Sequence, residues 1–433
     1  MAFTLSVLCL VLNIYFYKKE SIKNIYFTPL FCIAIPYSII MLFVSIYDLI
    51  DFNKAYKMSY MVPLVSILIF SLFIIIGILL KFNFEKKYPY LKEKEIICKK
   101  NDKDIIRKRK SIFHGVIYDL EKEKILISLV YISFVIIAII YFIKYGFHII
   151  STVDFKNFFS SGIQGHLVNV ITALLLIIFS FKKFYYTKIV CLFWIIFLAL
   201  GNAKYLMLMY AMTLLIIFAV QYYKSFSMKK MFILLIVIAS FFIMTYFLRF
   251  IIAGTSILDI NYKFLFDHFY YYLVGSFYSF SKVLTEYFPP TDNIGYGIVF
   301  APIINVFRLL CGNRNFISPI SRFISVEINS NYTETNVYTL FGAIYFETNI
   351  YFMLICVIAI AIIAYFLYYN FLIRKKQSLL IIFSFFLSTL FYSFFNCFYG
   401  VSNLIEIIVL LLIITQVCKG GIPYAKERNL LCF

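Results

Sequence analysis

Eleven apolar stretches run the length of this chain, near 2–17, 25–47, 60–82, 125–147, 167–181, 189–201, 205–222, 231–249, 348–369, 378–396 and 403–418, and basic tails fall on every second connection. A hydrocarbon core of about 30 Å takes roughly 20 apolar residues as a helix. Inside lipid such a segment must satisfy its own N–H and C=O groups, which a helix does. The pattern predicts an all-α, polytopic integral membrane protein of about 11 transmembrane helices. A soluble fold is excluded, because 63% hydrophobic and 14% charged residues leave too little polar surface to coat a globule.

Lys and Arg are held on the cytoplasmic side during insertion, so their placement orients the chain. One side collects Lys18, Lys19 and Lys23, the run from Lys81 to Lys124, and the groups at 182–188, 224–230, 374–376 and 419–428, which together make 29 of the 40 basic residues. The N-terminus is then outside and the C-terminus inside. The net charge of +19 is topological, and no nucleic-acid partner is needed to explain it. The organisation that follows is three helices over 1–82, a basic cytoplasmic loop over 83–124, helices four to eight over 125–249, a large external loop over 250–347, and three further helices with a cytoplasmic tail over 348–433. Residues 83–124 hold 13 basic and 8 acidic positions, a solvated connection suited to lie against anionic head groups.

Two apolar pieces interrupt the external loop. The first, 264–284, carries Asp267, His268 and Lys282, and reads as a helix lying in the outer interface with Tyr270, Tyr271 and Tyr272 at head-group level. The second, 294–310, follows the Pro289-Pro290 turn and reads as interfacial or re-entrant. The nine Cys show no metal-like spacing, and the outer side has no dense Asp or His cluster, so neither a metal nor another cofactor is expected.

Arginine marks the outer side. Arg249, Arg308, Arg314 and Arg322 are four of its eleven basic residues, whereas the inner side has four Arg among 29. A planar guanidinium binds phosphate oxygens in pairs and an ammonium does not, and the phosphate at hand on an outer membrane face is lipid-linked. Lys204, Arg249 and Glu406 stand at the same level, within or beside apolar stretches where a charge must be paired or face water. They outline an outward-opening polar chamber. Snorkelling surface residues are the plainer reading of the same Arg set.

These residues carry a resemblance. The basic loop after the third stretch, the Gly-x-x-basic turn Gly201 to Lys204, Arg249 closing a span, the large outer loop, and the Asn-x-Tyr-Thr segment at Asn336, Tyr338 and Thr339 together resemble the bacterial O-antigen polymerases of the Wzy type. In that family a Tyr-x-Asp-Phe-Gly-like turn follows; this chain has Tyr345-Phe346-Glu347-Thr348-Asn349, which keeps a carboxylate at Glu347 and lacks the glycine. The related O-antigen ligases tend to carry His just before the Asn, where Thr335 stands here, a departure that favours polymerase.

The resemblance implies glycosyl transfer at the outer leaflet of the bacterial cytoplasmic (inner) membrane. A glycan on undecaprenyl pyrophosphate would move to the terminal sugar of another lipid-linked repeat unit, with a chain-length regulator as a further partner. Arg249 with Arg308 or Arg314 would bind the pyrophosphate, and Glu347 or His268 would accept the hydroxyl proton. Lys204, Arg322, Asn336, Tyr338 and Glu406 would complete the substrate site. An O-antigen ligase, a polysaccharide flippase and a transferase using polyprenyl monophosphate sugars are the alternatives; against the flippase stands the lack of two matching halves.

Overall fold

The computed structural model describes residues 1–20, 27–50, 56–88, 120–146, 158–159, 162–180, 185–200, 204–221, 262–286, 300–313, 324–329, 332–335, 337–374, 376–396 and 401–417, with isolated positions between 229 and 243 and at 315 and 317. In chain order the elements are α1 (Ala2–Glu20), α2 (Pro29–Ile50), α3 (Met61–Lys87), α4 (Leu120–Tyr145), α5 (Gly162–Ser180), α6 (Tyr185–Leu200), α7 (Lys204–Gln221), α8 (Tyr262–Thr285), α9 (Ala301–Leu310), β1 (Ile324–Asn329), β2 (Tyr332–Thr335), α10 (Leu340–Glu347), α11 (Ile350–Arg374), α12 (Gln377–Phe391) and α13 (Ser402–Val417). Ten of the eleven apolar stretches fall on α1–α7 and α11–α13. The stretch at 231–249 lies largely outside the described residues. By length and composition, six helices, α1–α5 and α11, are apolar enough to cross a membrane, while α6, α7, α12 and α13 are apolar but shorter. The chain is thus mostly helical, with the helices of a membrane protein.

Packing follows the distribution of apolar side chains. α12 buries Leu380, Ile381, Phe383 and the run from Ser384 to Leu390, so it is enclosed on every side. A helix that is apolar all round belongs in the middle of a bundle. It touches α2 and α11 on one flank and α5, α7 and α13 on the other, and so joins the α1–α2–α3–α11 group to the α4–α5–α6–α7–α13 group. α3 meets α11 at Gly77, whose carbonyl accepts the Tyr369 hydroxyl at 3.3 Å.

The helices alternate in direction, which gives the bundle two chemically different ends. Lys18 and Lys19, Lys86 and Lys87, and Arg374 close the last turns of α1, α3 and α11 at one of them. At this basic end Gln221 donates to the Ser180 carbonyl and Gln377 to the Ser180 hydroxyl, which clasps α5, α7 and α12 together.

The opposite end departs from the sequence expectation. The helix expected over 264–284 forms as α8, and it packs against α2, α3 and α10. Tyr270 and Tyr271, expected at head-group level, are buried, and the Tyr270 ring tilts against Tyr47 with centroids 5.0 Å apart. Polar content misled the sequence reading, because the hydroxyls of α8 bond to other segments. Ser276 donates to the Phe394 carbonyl at 2.6 Å, Ser279 to the Val337 carbonyl at 2.7 Å, and Ser281 accepts the Ser59 amide at 2.8 Å. Ser side chains bonded in this way pin the connections at this end of the bundle onto α8.

An all-α chain was also expected, and the segment between α9 and α10 instead contains the β1–β2 hairpin. Ile324 and Val326 are buried against α8 and Ser325 is exposed, the period-two alternation of a half-covered strand. Lys282 of α8 donates to the Ser325 carbonyl at 2.6 Å.

The chain returns from the hairpin into α10, whose first turn is capped by Thr339: its hydroxyl accepts the Gly342 amide at 2.9 Å. Replacing a capping hydroxyl typically costs about 1 kcal/mol. Thr339→Val, which keeps the shape and removes the acceptor, is expected to lower stability in detergent by ~1 kcal/mol, while Thr339→Ser stays near wild type; heat-ramp size exclusion reads both.

Candidate functional site

The ionisable groups of interest gather at the end opposite the basic one. Asp48, in the last turn of α2, is buried and accepts the Met58 amide at 2.7 Å and the Tyr278 hydroxyl at 2.6 Å. It therefore fixes the α2–α3 connection to α8. Tyr56 in that connection donates to Ser281 at 3.3 Å. Burial raises its phenol above the ordinary pKa, and the Ser281 bond offsets part of the rise.

α10 is wedged between α8 and α11. A Cβ on Gly342 would stand 3.1 Å from the Phe280 side chain and 3.0 Å from the Thr339 hydroxyl, so a side chain there would disturb both the helix contact and the cap. Tyr338 is buried and stacks on Phe346 with centroids 5.3 Å apart. Glu347, the carboxylate kept from the family-like turn, ends α10 at 1% exposure. The missing glycine is answered locally: Thr348 takes an irregular backbone, and Asn349 then caps α11 by accepting the Phe352 amide at 2.9 Å.

A second polar group forms between α5, α7 and α13. Glu406 on α13 meets His166 on α5, Nδ1 to Oε1 at 2.9 Å, and its other oxygen accepts the Asn169 side-chain amide at 2.7 Å. One turn earlier on α13, Asn403 donates to the Tyr205 hydroxyl at 3.2 Å. Both pairs, His166 with Asn169 and Asn403 with Glu406, use i,i+3 spacing, which puts the two side chains of each on one helix face. The imidazole is 70% exposed and the carboxylate 28%, so this group opens to the outside of the bundle.

Of the residues singled out in the sequence, the structure brings Glu406 into a polar cluster and places Glu347 and Tyr338 together around α10. Arg308 lies on α9, where it donates to the Asn315 carbonyl at 2.5 Å, while Asn305 pairs with both backbone groups of Ile317, donating at 2.9 Å and accepting at 2.7 Å. The loop after α9 is thereby folded back on it, and α9 exposes Ile303, Val306, Phe307 and Leu310, an apolar face of the kind that lies on lipid. Lys204 begins α7 and His268 lies within α8. Arg249, Arg314, Arg322 and Asn336 lie outside the described residues. His166, Asn169, Asn403 and Tyr205 were missed by sequence reasoning, although two polar pairs at i,i+3 in otherwise apolar helices were a usable signal. Among the described residues no group of three His, Cys, Asp or Glu could hold a metal ion.

No curated protein matches this chain. No solved structure matches it either. A family model described as "Family of unknown function (DUF6337)" matches residues 51–421, which is most of the chain, and the protein belongs to that family.

Proposed function

We propose that this protein polymerises lipid-linked oligosaccharide repeat units, transferring a glycan from undecaprenyl pyrophosphate to the terminal sugar of a second lipid-linked unit at the outer leaflet of the bacterial cytoplasmic membrane. One observation carries the reading: a carboxylate, an imidazole, two side-chain amides and a phenol meet where α5, α7 and α13 begin, at the rim of an otherwise apolar bundle. An amphiphilic substrate needs that combination. Amides and carboxylates bond sugar hydroxyls in pairs, and the apolar helices beside them suit a polyprenyl tail. The family-like segment through Tyr338, Thr339 and Glu347 reaches the same end of the bundle.

In this reading the acceptor hydroxyl attacks the anomeric carbon of the donor glycan, and the bond to the pyrophosphate breaks with its electron pair leaving on oxygen. Arg249, with Arg308 or Arg314, stabilises that departing charge. Deletion of the gene is the direct test: cells should then display a single repeat unit on the surface polysaccharide. A complete loss of surface glycan would point to ligase or flippase instead, and an unchanged length distribution would overturn the proposal. Arg249→Lys keeps the charge and loses the fork, and is expected to slow polymerisation of a reconstituted lipid-linked unit about tenfold.

A further inference from the structure

Glu347 was the carboxylate the sequence pointed to as proton acceptor, but its burial at 1% exposure between α8 and α11 keeps it from a substrate arriving at the membrane surface. A general base must come within hydrogen-bond reach of the hydroxyl it deprotonates. The His166–Glu406 pair has that access, with the imidazole 70% exposed. Its geometry is that of an oriented base. Nδ1–H donates to Glu406 Oε1 at 2.9 Å, and Asn169 holds Oε2 at 2.7 Å, so both carboxylate oxygens are engaged and one of them orients the ring. When Nδ1 carries the donated proton, the lone pair of the neutral ring is on Nε2. A carboxylate that fixes the tautomer in this way also stabilises the imidazolium that forms.

Resting on the polymerase reading, we propose that His166, positioned by Glu406, is the group that accepts the proton of the attacking sugar hydroxyl. The step balances without a co-reactant: the hydroxyl oxygen bonds to the anomeric carbon, its proton passes to Nε2, the carbon–oxygen bond to the pyrophosphate breaks, and the imidazolium returns its proton to water. The Asn403–Tyr205 pair, one turn away on the same face, presents further groups to the sugar.

The test uses full-length protein in liposomes with undecaprenyl-linked oligosaccharide extracted from cells lacking the gene. His166→Gln is expected to lower kcat roughly 100-fold with KM little changed, and Glu406→Gln to lower kcat less, again without a large change in KM. Free imidazole is expected to restore part of the turnover of His166→Gly. Wild-type liposomes that extend the unit beside an unaffected His166→Gln would overturn the dyad and leave the polymerase reading standing. Loss in His166→Gly with no rescue would reduce the residue to a structural role and overturn the proposal as well. Wild-type liposomes that fail to extend the unit would remove both.

Discussion

Replacing Gly77 with Val is expected to destabilise the protein by about 3 kcal/mol, at the upper end of what overpacking a core contact typically costs. A Cβ at this position would stand 2.5 Å from Tyr365 Cζ, 2.7 Å from its hydroxyl and 2.8 Å from Cε2. The ring has no room to retreat. Tyr365 is buried, with Phe73 tilted against it at 5.3 Å between centroids and Tyr369 stacked at 6.1 Å. Tyr369 in turn donates to the Gly77 carbonyl, so displacing one ring disturbs the other's hydrogen bond. Tyr365→Leu shortens the obstructing side chain, and the double variant should therefore be less destabilised than the two single changes combined, the coupling expected of residues in contact. Melting profiles in detergent decide it; a Gly77→Val protein that melts with wild type would remove the close α3–α11 contact.

Asp48→Ala is expected to cost about 3–5 kcal/mol, since it leaves the Met58 amide and the Tyr278 hydroxyl without their buried acceptor. Both bonds are short and charge-assisted, the stronger class of hydrogen bond. Asp48→Asn retains one acceptor oxygen and should fall between Ala and wild type. Tyr278→Phe added to Asp48→Ala removes one of the two donors that faced the carboxylate and should recover part of the loss. Equal melting of Asp48→Ala and wild type would show that the α2–α3 connection is held by other contacts.

Hydropathy made the helices legible because lipid asks so little of a spanning segment beyond length and apolar character. α3 and α11, rich in Ile and Leu, could be read directly. α8 could not. Its sequence through Ser276, Ser279, Ser281 and Lys282 has the polarity of a surface helix, and only the partners of those groups, each more than 40 residues away in sequence, reveal it as a packed element. The hairpin lay within reach, as the Ile324–Ser325–Val326 alternation followed by an Asn-Ser-Asn sequence is an ordinary hairpin signal. At the candidate site Glu406 stood out as a charge within an apolar run. Its partners did not, because His166 lies 240 residues earlier and no local rule joins the two.

Ser180 has a consequence for how the molecule breathes. Knotted there through Gln221 and Gln377, α5, α7 and α12 share one pivot on the basic rim, while the far tips of α5 and α7 carry His166, Asn169 and Tyr205. Any parting of α5 from α7 would therefore be smallest at the knot and largest at the polar tips, leaving the opposite rim closed.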